Sequence, residues 1–302
     1  MKITCIAHTD VGNQMYIISQ AINRYTNHKA RCITNTEMYL KFPTDIYYPT
    51  ADKSEVKNVL EDSDFYIYSQ YPIRYPEHRV ILNRNNFIVA LYGSHARDNR
   101  QFLLTQFLKY EFVFVSRPDI SYCNFIPTII IPNSIDFSMY PERVFSEEET
   151  IRICHSPTVR EVKDTDYFLE IVKKLQKKYP VEVELIENTT WKECIERKKN
   201  CDITFDHLGK VEKIYGGNAY EGWVFSQPVL GSISPFVYVY YPTCPIINST
   251  RDTLEENLEN LLRNPDLIWE EGKKGRKYVY DIHSSSETIK KWMKLIEYVK
   301  ER

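Results

Sequence analysis

The hydrophobic and polar positions of the chain form two alternating patterns. Short apolar or β-branched runs, typical of buried strands, are separated by loops and by stretches whose apolar residues recur at helical spacing. In the first half the predicted strands are KITCIA, RCITN, DFYIYS, RVILN, FIVALYG, FVFVS and TIIIPNS, and the predicted helices are MYIISQAINRY and QFLLTQFLKY. Repeated alternation of this kind favours a parallel sheet covered by helices on both faces.

The second half repeats the alternation more regularly. Its predicted strands are IRICH, VEVELIE, DITFDHL and PVLGSI, its helices are TDYFLEIVKKLQKKY, WKECIERKKN and AYEGWVFSQ, and three amphipathic helices follow. The acidic stretch SEEET before IRICH is typical of a solvated linker. The pattern therefore predicts an α/β protein of two doubly wound, Rossmann-like domains facing a cleft. The two domains are expected to span residues 1–146 and 147–302. The last helix is a candidate for packing back on the first domain.

Composition narrows the functional classes. Apolar residues make up 43% of the 302 residues and charged residues 26%, which excludes wholesale disorder and a coiled coil. A formal net charge of -2 argues against electrostatic binding of nucleic acid or membranes over the whole surface. The seven cysteines contain no C-x-x-C pair, and no apolar stretch reaches the ~18 residues of a spanning helix. We expect a cytoplasmic protein without a metal site, and leave a peripheral membrane location open.

Open α/β sheets bind ligands beyond the carboxyl ends of their strands, so function is expected in the loops that follow strands. The loop HSPTVREVK follows IRICH and carries Arg160 and Lys163. A guanidinium and an ammonium group at this spacing can bind a diphosphate, the first bidentately and the second as a point charge. The alternative is a pair of solvated surface cations.

A second candidate loop is KIYGGNAYEGW. Gly216 and Gly217 allow a ligand to approach the backbone closely, and Asn218 is predicted to cap the helix that follows. The free N–H groups of that helix form an anion site. Glu221 is expected in its first turn, where the carboxylate can accept hydrogen bonds from ribose hydroxyls or merely compensate the helix dipole. Nothing resembling G-x-G-x-x-G follows a predicted strand, which argues against a nicotinamide dehydrogenase.

Together these motifs resemble the donor-binding half of the glycosyltransferase-B (GT-B) fold, in particular the large retaining group called family 4. HSPTVREVKDTDYFLEIVKKL is similar to the family's loop and helix for the donor diphosphate, and Arg160 and Lys163 match its basic pair. YGGNAYEGWVFSQPVL resembles the family's glycine loop, glutamate and small-residue helix, in which Gly216, Glu221 and Pro228 match. NSTRDTLEENLENLLRNPDLIWEEGKKGRKYV is similar to the closing helices, and IPNSID to the end of the first domain.

The resemblance covers most of residues 130–285 and contains one departure. The family's pair of glutamates is separated by seven residues, which places the first at position 213, where this chain has Lys213. In the family that glutamate helps to hold the donor sugar. The second position, Glu221, is kept, and the resemblance gives it the role of binding the nucleotide ribose.

The first half resembles the family more faintly. YGSHAR is similar to a histidine-glycine-serine-acid-x-arginine segment, and the loop HTDVGNQ lies where the family's first strand opens toward donor and acceptor. The resemblance implies donor contacts from Gly12 and Asn13. Within YGSHAR, Gly93, Ser94 and Arg97 match the family, and Tyr92 and His95 depart from it. The expected acceptor-binding residues are Tyr92, Ser94, His95 and Arg97. For His8 and His95 a structural role is the alternative.

The implied reaction is transfer of a sugar from a nucleoside diphosphate donor to an acceptor hydroxyl, with retention and without a metal or cofactor. Arg160 and Lys163 would stabilise the leaving diphosphate. The expected donor-binding residues of the second half are His155, Glu187, Tyr215, Gly216, Gly217, Asn218 and Glu221. Two alternatives share the two-domain plan: a nucleotide-sugar epimerase, and a non-catalytic nucleotide- or sugar-binding protein.

A cluster of arginines leads to a hypothesis about the acceptor. Residues 71–100 contain two acids, no lysine and five arginines, which are Arg74, Arg79, Arg84, Arg97 and Arg100. Arginine suits the planar recognition of oxyanions, and neighbouring tyrosines offer flat apolar faces. The cluster therefore suggests an anionic acceptor, such as a phosphorylated lipid, an acidic glycan or a modified nucleic acid. The alternative is a set of surface arginines paired with acids elsewhere.

Overall fold

The structure, a computed structural model, describes residues 1–76, 82–83, 85–92, 101, 105, 114–118, 128–143, 150–209 and 214–302. The chain divides into two compact units. Unit 1 consists of Met1–Asp136 and His283–Arg302, and unit 2 of Phe137–Ile282. Each unit contains its own parallel sheet with flanking helices, so the predicted α/β fold is confirmed.

The boundary between the units lies earlier than the expected position at 146/147. Segment 137–143 packs within unit 2, because the Tyr140 ring contacts Trp191 and Phe225 edge-on. The Arg143 guanidinium donates to the backbone carbonyl of Phe225 at 3.0 Å and lies 3.3 Å from Asp202. Of the acidic linker SEEET, which spans 146–150, residues 146–149 lie outside the described residues.

The described strands of unit 1 pair in the order β3-β2-β1-β4-β5-β6-β7, all parallel. Their bounds are β1 Lys2–Thr9, β2 Lys29–Thr36, β3 Ile46–Tyr47, β4 Phe65–Ser69, β5 Phe87–Leu91, β6 Phe114–Ser116 and β7 Ile129–Ile130. The same stretch contains helices α1 Gln14–Tyr25 and α2 Lys53–Glu61. The chain builds outward from β1 and then returns to its other side, so the order reverses between β1 and β4.

Two apolar layers cover the sheet of unit 1. Strands β4 and β5 are buried along their whole length, which explains their continuous apolar runs. One face packs against α1 and against a helix at the C-terminus of the chain. The other face packs against Val56 and Leu60 of α2.

Unit 2 contains the second sheet, whose described strands pair in the order β12-β11-β10-β8-β9, all parallel. Their bounds are β8 Ile151–His155, β9 Val181–Leu185, β10 Ile203–Phe205, β11 Val229–Gly231 and β12 Ile247–Asn248. The helices are α3 Thr165–Leu175, α4 Trp191–Lys198, α5 Gly217–Val224, α6 Val237–Tyr240, α7 Leu254–Arg263 and α8 Pro265–His283. Apolar side chains of α3 and α7 form one core with the strands.

The last helix, α9 Ser285–Glu301, belongs to unit 1. Its buried residues Ile289, Trp292 and Ile296 join the apolar layer that contains α1. The chain is also fixed where it re-enters the unit, because the backbone N–H of Ile135 donates to the carbonyl of His283 at 2.7 Å. None of the described helices combines the length and the apolar character needed to cross a membrane.

Candidate functional site

The strand order of unit 2 locates its ligand-binding edge. The chain passes from β8 to β9 on one side and then to β10 on the other, so the order reverses at β8. Open α/β sheets bind ligands beyond the carboxyl ends of their strands at such a reversal. The loops that follow β8, β9 and β10 carry Arg160 and Lys163, Glu187, and Gly216, respectively.

Asp206 joins two of these loops. It follows β10 directly and is fully buried. Its Oδ2 accepts the backbone N–H of Gly216 at 2.7 Å, and its Oδ1 lies 3.9 Å from Nζ of Lys163. A buried carboxylate needs such compensation. Asp206 thereby fixes the start of the glycine loop and draws the ammonium group of Lys163 to the same strand end.

Arg160 lies on the outside of this arrangement. Its guanidinium donates to Oε2 of Glu187 at 3.2 Å and lies 3.3 Å from the carboxylate of Asp166. The arginine side chain is 45% exposed, so these ion pairs are screened and exchangeable. The structure therefore brings Arg160 and Glu187 together, and leaves guanidinium N–H groups facing solvent.

Glu221 lies deeper than expected. Helix α5 begins at Gly217, so Glu221 falls in its second turn and compensation of the helix dipole does not explain it. Its carboxylate accepts Nε1–H of Trp191 at 3.0 Å and an ammonium N–H of Lys198, whose side chain is completely buried. Burial lowers the pKa of Lys198, but the neighbouring Cys194, Glu221 and Cys154 side chains together outweigh it, so the pKa lies above its usual value. The carboxylate is held in one orientation, with lone pairs left for a ligand hydroxyl.

Asn218 does not cap α5 as expected. Gly216 occupies the N-cap position, and no side chain bonds the first turn. The Asn218 amide instead donates to the carbonyl of Phe205 and accepts the hydroxyl of Ser156 at 2.9 Å, which ties α5 to the ends of β10 and β8. Gly217 is exposed at the helix start, and a Cβ added there would have no heavy atom within 4 Å.

Two expected donor-binding side chains belong to the core of unit 2. His155 is completely buried between the rings of Phe168 and Phe205, and both of its ring nitrogens are hydrogen-bonded, to the Phe205 carbonyl and the Thr165 hydroxyl. Tyr215 is also fully buried and shares a hydrogen bond with the hydroxyl of Tyr278. A position at the end of a strand does not by itself distinguish these side chains from ligand contacts, since some side chains at the carboxyl edge of the sheet pack into the core.

The expected donor residues of unit 1 lie at the end of β1. Gly12 is exposed with φ at 64°, a conformation that glycine adopts without strain. Asn13 is 2% exposed, and neither amide atom has a hydrogen-bond partner. At the end of β4, Oγ of Ser69 and Oε1 of the next residue, Gln70, are likewise buried without a partner. Unpaired buried polar atoms are rare in proteins, and these lie where the strand order of the sheet reverses.

The expected acceptor residues are only partly described. Tyr92 is buried, and its carbonyl accepts the amide of Gln70. Ser94, His95 and Arg97 lie outside the described residues, as do Lys213 and, from the arginine cluster, Arg79, Arg84 and Arg100. Arg74 is described and exposed. His8 is exposed, and its Nε2 lies 3.4 Å from the Thr36 hydroxyl. This long contact does not decide between a structural and a functional role of His8.

Three side chains of this site were not predicted from the sequence: Asp206, Lys198 and Trp191. Asp206 could have been found, because it lies in the second half of the predicted strand DITFDHL, near the binding edge. Lys198 carried no signal, since a lysine in the polar helix WKECIERKKN is normally exposed. Among the described residues, no group of histidine, cysteine, aspartate and glutamate side chains is placed to hold a metal ion.

Solved structures match this arrangement of strands and helices over the whole chain. A glycosyltransferase from Rickettsia africae has a TM-score of 0.69 and 10% sequence identity, with 99% of this chain and 98% of that chain covered. HepE of Anabaena, in complex with UDP and glucose, has a TM-score of 0.66 at 10% identity and covers 99% and 100%. The chain has a GT-B fold.

The GT-B fold is not restricted to transferases among these matches. UDP-GlcNAc 2-epimerase from Neisseria meningitidis, bound to UDP-GlcNAc, has a TM-score of 0.54 at 11% identity and covers 99% of this chain and 100% of its own. No protein-family model matches the sequence, and no curated protein does. Identities this low establish a common fold, and function has to be argued from the site.

Proposed function

We propose that the chain is a glycosyltransferase that moves a sugar from a nucleoside diphosphate donor to an acceptor hydroxyl, with retention and without a metal ion. The observation that carries the proposal is the meeting of Lys163 and Gly216 at Asp206, at the strand end where the order of the sheet reverses. A basic side chain and free backbone N–H groups at one helix start favour a diphosphate. The matching structures of HepE with UDP and with UDP-glucose support a uridine nucleotide as the first probe.

In this proposal Lys163 and Arg160 stabilise the negative charge that develops on the leaving diphosphate. The amide groups at the start of α5 add to this stabilisation, which acts on the transition state. Glu221, oriented by Trp191 and Lys198, accepts hydrogen bonds from the ribose. The acceptor hydroxyl binds in unit 1, and the anionic acceptor remains part of the proposal.

The direct test is titration of the protein with UDP and UDP-glucose. Lys163→Met is expected to weaken binding of both at least tenfold, the ordinary effect of losing a charge-assisted phosphate contact of ~1.5–3 kcal/mol. Lys173→Met, a change at an exposed lysine of α3, is the matched control and should bind like the wild type. Equal affinities in all three proteins would remove the diphosphate site from unit 2.

Gly217→Ala tests the same site without removing a charge. The added methyl group has no neighbour within 4 Å in the protein, so stability should be unchanged or slightly higher. If donor phosphates approach this backbone, the methyl group collides with the donor alone. Weaker UDP binding with unchanged thermal stability is therefore expected, whereas unchanged binding would contradict the close approach.

The matching epimerase supports one alternative function, a nucleotide-sugar epimerase. Incubation of UDP-GlcNAc and UDP-glucose with the protein, followed by NMR, separates the candidates. A changed sugar configuration without an acceptor identifies an epimerase. UDP release that requires an acceptor, gives a product with the anomeric configuration of the donor and survives EDTA identifies the proposed transferase. Binding without turnover identifies a non-catalytic binder.

A further inference from the structure

Unit 1 contains an open pocket at the carboxyl ends of β1 and β2. Its volume is about 480 Å³ when the open solvent at its mouth is included. One side is formed by the strand ends and the other by the loop that leads to β3. The lining residues are Asp10, Thr34, Thr36, Glu37, Met38, Phe42, Pro43, Thr44 and Tyr47.

The polar part of this lining is acidic and rich in hydroxyl groups. It consists of two carboxylates and three threonines, and none of the nine lining residues is basic. Asp10 is 5% exposed, and its oxygens accept the backbone N–H groups of Met15 and Tyr16 at 2.9 and 3.0 Å. Glu37 and Thr36 are exposed and lie at the rim. An anionic group placed here would meet two carboxylates and no counter-charge.

The remaining lining is apolar and partly aromatic. Phe42, Tyr47, Met38 and Pro43 provide surfaces on which the apolar face of a sugar ring can rest. Carboxylates and threonine hydroxyls together accept and donate the hydrogen bonds that ring hydroxyls need. The N–H groups of α1 already disperse the charge of Asp10, so the pocket suits hydroxyl donors better than a full cation.

We propose that this pocket binds a neutral, hydroxyl-rich sugar ring of the acceptor. The proposal rests on the proposed transferase function and adds the chemistry of the acceptor. An anionic group of the acceptor, if the arginine cluster binds one, then belongs to another part of the same molecule. The unpaired polar atoms of Asn13 and Ser69 lie at the neighbouring strand ends and are compatible with a ligand of the same polarity.

The test is saturation-transfer NMR with three sugars that differ in charge: methyl α-glucopyranoside, glucosamine and glucuronate. The neutral glycoside is expected to bind most tightly. Glu37→Gln and Thr34→Val should each weaken it about threefold or more, since each removes one hydrogen-bonding group. Glu37→Lys should abolish the discrimination against glucuronate. Glu297→Gln, an exposed carboxylate of α9 outside the pocket, is the control and should leave all three affinities unchanged.

Tighter binding of glucuronate or glucosamine, no binding of the glycoside, or affinities unaffected by Glu37→Gln and Thr34→Val would each overturn the proposal. UDP titration of the same variants reports on the transferase function separately. If UDP binds and the glycoside does not, the acceptor proposal fails alone. If UDP does not bind to any of the proteins, the proposed function fails, regardless of which sugars bind.

Discussion

The imidazole of His155 is held in its neutral form inside unit 2. Burial lowers its pKa to about 3, although its hydrogen bond to the Phe205 carbonyl acts in the opposite direction. In the unfolded chain the pKa returns to its usual value near 6.5. Between these two values the unfolded state binds a proton that the folded state does not, so the free energy of unfolding decreases as the pH falls below ~6.5.

This linkage gives a prediction for His155→Gln, which keeps an amide for hydrogen bonding and removes the titration. Between pH 7 and pH 4 the variant should lose roughly 3 kcal/mol less of its unfolding free energy than the wild type. Urea unfolding at several pH values measures the difference. His283, in unit 1, also has a pKa lowered to about 3 by burial, so the variant keeps some pH dependence. His8→Gln, at an exposed position, is the control, and a wild-type pH profile in His155→Gln would contradict the account.

At the scale of elements, α4 and α5 are joined by the buried pair of Lys198 and Glu221. Removing one member leaves the other charge largely buried without its counter-charge, which typically costs ~3–5 kcal/mol. Lys198→Met should therefore be strongly destabilised, and the double variant Lys198→Met/Glu221→Gln should recover a large part of that loss. A double-mutant cycle by urea unfolding measures the coupling.

The matched control for this pair is Lys192→Met, at an exposed position of the same helix. It should change stability by no more than ~0.5 kcal/mol. Additive effects of the two changes at Lys198 and Glu221 would show that the pair does not act as a unit. A donor-binding role of Glu221 is tested separately by UDP titration of Glu221→Gln.

Hydrophobic periodicity predicted most elements of both sheets, because buried parallel strands leave continuous apolar runs such as FIVAL of β5. Helix α2 was missed, since only Val56 and Leu60 of its nine residues are buried and the remainder of KSEVKNVLE is polar. Its start is marked by Asp52, whose carboxylate accepts the N–H of Ser54. The two-residue strands β3 and β12 were missed as well, because neither is surrounded by a longer apolar run such as TIIIP around β7.

The candidate site was predictable in part, because the predicted strands also show which loops follow their carboxyl ends. Loop position after a strand identifies which residues lie at the binding edge, and Lys163 and Gly216 lie together there. It does not identify which side chains turn inward, so His155 and Tyr215 were expected at a ligand and lie in the core. The partners of Glu221 could not be predicted, because Lys198 is distant in sequence and its burial has no local signal.

At the scale of the whole molecule, unit 1 depends on the end of the chain. Trp292 of α9 is 1% exposed within its core. Its Nε1–H has no hydrogen-bond partner, so Trp292→Ala loses packing alone. We expect a loss of ~3–5 kcal/mol, confined to unit 1.

Hydrogen exchange measured by mass spectrometry can locate this loss. Peptides from α1 should lose protection in Trp292→Ala, whereas those from β8 in unit 2 should keep it. Trp269→Ala is the control, because that ring is 44% exposed on α8. Equal loss of protection in both units, or none in α1, would contradict the dependence of unit 1 on α9.

The placement of residues 283–302 in unit 1 also sets an order of events during synthesis. Unit 2 is contiguous in sequence, so every residue it needs has been synthesised before the last helix is made. The N-terminal part of unit 1 emerges first but has to wait for α9, at ~5–20 residues per second for on the order of 10 s. During that interval the apolar face of α1 and the neighbouring strands is without its cover. The first half of this protein is therefore the part that nascent-chain chaperones are expected to bind until α9 has been synthesised and has emerged.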